Sequence, residues 1–205
     1  DILDALERTD VKTSVLQDVE RQRTQLAALR GHPNVAQAAL EDMLSDMERA
    51  ASSLAAGGKS GQALRDNEWL VSLRGRVTVP GGASQVDMPS YHAWQHKPQE
   101  VRQADLAQWS QPLRPLFDGV QIAMRLLRES GSRQNMVASQ GSYQQMLAGK
   151  VYQLMRVWVD PAADVFPEIS GNKHMIWIRF SRQDAVAKPQ QTGVDTPFVM
   201  SLCNA

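Results

Sequence analysis

The chain has 205 residues, 42% of them hydrophobic and 21% charged. That suits one large or two small globular domains with a real core. Its 22 Lys and Arg balance 22 Asp and Glu, so no net field draws in nucleic acid or inserts the chain into an anionic membrane, and a charged partner must be met by a local patch. The single cysteine, Cys203, excludes an in-chain disulfide and a cysteine-built zinc site. It points to a reducing compartment, most simply the cytoplasm. No apolar run approaches the roughly 20 residues that span a bilayer. The opening DILDALERTD has neither the basic nor the apolar region of a signal peptide. It lacks a methionine and starts in mid-pattern, so further residues are expected upstream.

In chain order, Val15, Val19, Gln22, Leu26 and Leu29 share one helix face. Gly31 predicts the end of that helix, and Pro33 suits the first turn of the next. Ala36, Leu40, Met43, Met47, Ala50 and Leu54 repeat the pattern as far as Gly57 and Gly58. Two such helices on a short loop predict an antiparallel hairpin, its stripe buried in the core or in a dimer seam. No aromatic residue precedes Trp69. Residues 60–74 read as a short helix. RVTVPGGASQVDMP reads as a β-hairpin turning at Gly81 and Gly82. Helices are expected at 89–95, 101–109 and 112–130, and a polar linker at 130–142. The alternating segments VYQLMRVWV and HMIWIRF, with PFVMSLC, predict antiparallel strands separated by loops.

These elements predict an α+β fold. A mostly helical region with a long helical hairpin would accompany a smaller antiparallel β domain. Residues 1–75 would hold the hairpin and the short helix after it, and 76–89 a β-hairpin belonging to the β domain. Residues 90–132 would hold the remaining helices, and 145–205 the β domain itself.

Motifs for chemistry are sparse. His92 and His96 stand at metal-ligand spacing with Asp87 upstream, but no Glu follows His92, so the metalloprotease motif fails. A structural or partner-facing element is the expectation there. The chain has no GxSxG and no Gly-rich phosphate loop, and the residues carry no enzyme, metal or cofactor signal. The strands say more. Ile176, Ile178 and Phe180 share one face, and Lys173, Met175, Trp177 and Arg179 the other. Val151, Val157 and Val159 likewise oppose Tyr152, Arg156 and Trp158. If the two strands lie close, cations and large aromatics mix on one side. Such a face suits single-stranded nucleic acid, with bases on rings and phosphates on cations. Equally it suits an acidic-apolar peptide, with carboxylates on arginines. Helices covering the rings would instead make it core. Between residues 121 and 182 bases outnumber acids, which favours an acidic segment.

LERTDVKTSVLQDVERQRTQL, LRDNEWLVSLRGRVTVPGGASQVDMPSYHAWQHKP and FPEISGNKHMIWIRF resemble, in order and spacing, the ZapD family of bacterial cell-division proteins. The resemblance implies a non-enzymatic cytoplasmic homodimer that is recruited to the midcell ring. It implies binding to the C-terminal tail of the tubulin-like protein FtsZ, and cross-linking of FtsZ filaments. At matching positions it implies Arg8, Lys173 and Arg179 as tail contacts and His92 as a bundling residue. Spacing alone adds Arg156 and Arg182, and alternation adds Trp177. One departure stands out. Many relatives carry another arginine where this chain reads Lys173-His174-Met175. The resemblance also implies an N-terminal arm of some tens of residues ahead of Asp1.

Overall fold

A computed structural model describes residues 2–8, 10–184 and 186–204, with Glu7 and Arg8 described by backbone alone. It has two compact units, Asp1–Ala123 and Met124–Ala205. The α+β class is as expected: helices fill the first unit, and all strand pairs of the second are antiparallel.

In the helical unit, α1 (Ile2–Arg8) precedes the hairpin of α2 (Val11–Ala27) and α3 (Gln37–Ala56). Asp10 caps α2, its carboxylate accepting from the Thr13 N–H at 3.1 Å. Pro33 lies in the connecting turn, not in the first turn of α3, which starts at Gln37. The Gln37 amide closes that loop, accepting from Gly31 N and donating to three loop carbonyls. At the other end Lys12 donates to the carbonyls of Ala55, Gly57 and Gly58, filling acceptors that the end of α3 leaves open. Leu40, Leu44, Met47, Ala50, Ala51 and Leu54 of α3 are buried, with Val19 and Gln22 of α2. Each large side chain buried there contributes about 1.5–3 kcal/mol. The start of α8 (Arg114–Glu129) packs on this hairpin at Gly119, where an added Cβ would stand 3.0 Å from Val15 and 3.3 Å from Leu54.

Residues 60–74 form two helices, α4 (Gln62–Arg65) and α5 (Glu68–Val77). The break comes where Asn67 caps α5 by accepting from Leu70 N at 3.1 Å. The β-hairpin expected at 76–89 does not form. α5 runs through Val77, and turns follow, with Gly82 N donating to Val79 O and Ser84 N to Gly81 O, both at 2.9 Å. The segment belongs to the helical unit, not the β domain. Its alternating valines have no apolar face to enter: Val77, Val79 and Val86 are all exposed. Beyond it α6 (Pro89–Gln95) and α7 (Gln99–Ser110) join α5 around a cluster of Trp69, Tyr91, Trp94 and Trp109.

The β unit starts earlier than residue 145. The expected linker at 130–142 contains β1 (Gln134–Ala138) and leads into β2 (Ser142–Met146). β3 (Leu154–Trp158), β4 (Phe166–Gly171), β5 (Met175–Arg182), the short β6 (Gln190–Gln191) and β7 (Thr196–Cys203) follow. One sheet runs β1–β7–β3 and the other β2–β5–β4, with β6 on the end of β5. Ile176, Ile178 and Phe180 of one sheet share a core with Ala138, Phe198 and Met200 of the other. The Phe180 and Phe198 rings are 5.1 Å apart. The turn into β2 depends on Gly141, at φ +73°, where an added Cβ would stand 2.5 Å from the Thr192 carbonyl oxygen. Gly141→Ala is therefore expected to destabilise the chain by about 2 kcal/mol or more, read as a lower midpoint of urea unfolding.

Candidate partner-binding face

Burial of Ile176, Ile178 and Phe180 turns Met175, Trp177 and Arg179 of β5 to the opposite side of the sheet. Register supplies their neighbours. Arg179 lies between Ser142 of β2 and Glu168 of β4, Trp177 between Gln144 and Ser170, and Met175 beside Met146. An open recess of about 470 Å³ is lined by Ser142, Glu168, Ser170, Trp177 and Arg179. Met146 and Phe166 are exposed on the same face. Acceptors, donors and apolar surface thus occupy one shallow groove, as peptide docking requires.

The charge in this groove is already engaged. Arg179 Nε donates to Glu168 Oε2 at 3.0 Å and Nη2 to Oε1 at 3.1 Å. This two-pronged pairing is the geometry in which a guanidinium best reads a carboxylate. Ser181 Oγ also donates to Glu168. The Arg179 hydrogen bond, then that of Ser181, holds the Glu168 carboxyl below its ordinary value, and Glu168 in turn raises Arg179. Lys173 stands at the tip of the β4–β5 hairpin. There Asn172 Oδ1 accepts from His174 N at 2.8 Å and Met175 N at 3.1 Å, setting the turn. The Lys173 side chain is exposed and makes no ion pair among the described residues.

The remaining expected residues do not gather here. Arg182 ends β5 on the parity of Phe180, opposite to Arg179, and Nη2 donates to Ala163 O at 3.0 Å. Arg156 lies in the other sheet. Its Nη1 donates to Arg128 O at 3.0 Å, and its guanidinium stacks 4.5 Å from the Trp158 ring. The single Arg–aromatic face expected from β3 and β5 therefore does not exist. β5 takes β2 and β4 as neighbours while β3 takes β7, so the two strands never adjoin. Tyr152 packs against the core instead. His92 belongs to the helical unit, half-buried on α6, with its ring 4.3 Å from that of His96. His96 Nδ1 lies 2.8 Å from the His92 carbonyl oxygen. Among the described residues no three His, Cys, Asp or Glu converge to hold a metal. Arg8 ends α1, and its side chain lies outside the described residues; Asp4, its neighbour one turn back, is bonded by Arg74 of α5. Glu168 was not anticipated as a site residue. It sits in FPEISG, which reads as loop, and only cross-strand register brings it to Arg179.

The profile that matches residues 1–179 is that of a cell division protein, and this gives the class to which the chain belongs. The chain is a member of the ZapD family. It is 69% identical over all 205 residues to the cell division protein ZapD of Bordetella petrii, covering 82% of that protein. It is 67% identical to that of Bordetella pertussis, covering 81%. Over 206 aligned positions it is 48% identical to that of Ralstonia pickettii, covering all of this chain and 82% of that protein. Its role is accordingly in cell division. No helix among the described residues is long and apolar enough to cross a membrane.

The Glu168 shift has a sign that can be measured. A depressed carboxyl pKa means the contribution of the Arg179 pair is present above the ordinary value of 4.5 and is lost as pH falls through the lower folded value. Carbon-detected titration of Glu168 should give a midpoint below 4.5, and Arg179→Ala should move it upward.

Proposed function

We propose that this chain binds the C-terminal tail of FtsZ in the groove beside Trp177 and Arg179 and, as a cytoplasmic homodimer at the midcell ring, cross-links FtsZ filaments without catalysis. Membership of the ZapD family supports the partner. The observation that carries the site is the Arg179 guanidinium, held in fork geometry by a carboxylate beside the exposed rings and methyls of Phe166, Trp177 and Met146. Glu168 occupies the position that a tail carboxylate would take. An incoming acidic residue exchanges with it on Arg179, and Lys173 at the hairpin tip adds an uncommitted cation. An exposed ion pair is worth little by itself, so the gain comes from replacing the internal carboxylate with one whose neighbours also seat on the apolar part of the groove. A two-fold dimer presents two such grooves, and linking two weak contacts raises the strength of the bridge without new contacts. Arg8 and His92 enter this reading through the resemblance, Arg8 as a tail contact and His92 in bundling.

Co-sedimentation with GTP-assembled FtsZ, alongside FtsZ lacking its tail, tests the proposal. Bundling should require the tail. Arg179→Ala should weaken tail affinity by about tenfold or more while the chain stays folded. Glu168→Gln should strengthen it, because the competing internal charge is gone. Tail affinity unchanged in folded Arg179→Ala would remove Arg179 from the site.

A further inference from the structure

The other sheet carries a second cationic surface that the tail groove does not use. Arg133, immediately before β1, lies 4.6 Å from the Trp158 ring centroid, and Arg156 lies 4.5 Å from the same centroid. Both charges therefore crowd one indole, within about one Debye length (roughly 10 Å at 0.1 M salt) of each other. The indole face attracts both guanidiniums, and an anion placed between them would relieve the repulsion that remains. No described carboxylate is within ion-pair distance of either guanidinium. Glu129, at the end of α8, pairs with neither, and Asp195 is turned to Ser139 Oγ and Gln140 N. Arg156 is fixed from behind by Arg128 O, whereas Arg133 is exposed.

The register extends this cluster into a surface. Trp158 pairs across β7 through Val199 with Asn135 of β1, and Val137 pairs with Pro197. Alternation places Asn135, Val137, Val199 and Trp158 on the side away from Met136, Val157, Phe198 and Met200, which pack in the core. Val137 is 58% exposed and Pro197 is exposed beside it. A cationic end thus adjoins an apolar floor on one sheet face.

We propose that the outer face of the β1–β7–β3 sheet docks an acidic peptide segment of another protein, its carboxylates on Arg133 and Arg156 and an apolar side chain on Val137 and Pro197. Charge complementarity selects the occupant. Two guanidiniums match paired carboxylates, and the exposed apolar strip beside them gives a peptide a contact that a free oxyanion does not use. The guanidiniums already lie over the Trp158 ring, so the indole is not offered as a free platform for a nucleobase.

The test uses the full chain, labelled with nitrogen-15, and the capped peptide acetyl-Asp-Leu-Asp-Leu-Asp-amide. The Trp158 indole signal is assigned by its loss in Trp158→Phe. The peptide should shift that signal saturably, and its Asn-for-Asp version should not. Arg133→Gln, at an exposed position, should weaken binding about tenfold. Arg179→Ala should leave it unchanged, which separates this site from the tail groove. Arg156→Lys, which keeps a donor for Arg128 O, should weaken it as well. A Trp158 signal that the peptide does not move, or equal binding by Arg133→Gln, overturns the proposal. So does inorganic phosphate that saturates the same shift at the same concentration, or a single-stranded oligothymidylate that binds there more tightly than the peptide.

Discussion

Alternation along β5 is the constraint on which the β unit depends. Ile176, Ile178 and Phe180 must enter the core, where Phe180 meets Phe198 of the facing sheet. A strand has period two, so Trp177 and Arg179 are then obliged to face outward. A slip of one residue would bury a guanidinium and expose three apolar side chains, which burial energetics forbid. The outward groove is thus a by-product of core packing, and its geometry is as rigid as the core that sets it. Ser142 and Glu168 reach Arg179 only because β2 and β4 are locked to β5 in that same register.

The arginines of this unit show why a count of positive charge overstates a binding surface. Arg182 holds the Ala163 carbonyl, Arg156 holds the end of α8 and lies over Trp158, and Arg179 is matched by Glu168. Each guanidinium has enough donors to serve the fold and still present others outward. What remains for a partner is set by which donors the fold has already used. Lys173, with no ion pair among the described residues, is the contrasting case.

Much of the architecture could be read from residue pattern alone. The α2–α3 hairpin is long and periodic, and β5 and β7 are dense in apolar and β-branched residues, so local preference and tertiary burial agree. β1 and β4 were hidden for the opposite reason. QNMVA is short and shows no alternation, FPEISG carries Pro167 and polar Glu168 and Ser170, and both are flanked by loop residues, so their strand state comes from pairing and not from propensity. RVTV failed in the other direction, since its alternation meets no partner and gives way to the end of α5 and its turns. In the site, Trp177 and Arg179 followed from parity within one strand. Glu168 reaches Arg179 only through β4, whose residues read as loop. Arg156 lies elsewhere because sheet membership is a long-range property, and Arg182 because it shares the parity of the core residue Phe180.

The aromatic cluster of the helical unit also gives the molecule an optical character. The indoles of Trp69, Trp94 and Trp109 lie between 5.3 and 6.0 Å from one another, a spacing at which their electronic transitions mix. Trp158 lies under guanidinium charge, and Trp177 borders open solvent. Near-ultraviolet dichroism therefore follows the packing of α5, α6 and α7, while the emission of the two isolated indoles follows the sheets. With Trp158 and Trp177 replaced by Phe, the emission and coupled dichroism of the remaining indoles would report the helical unit without any added label.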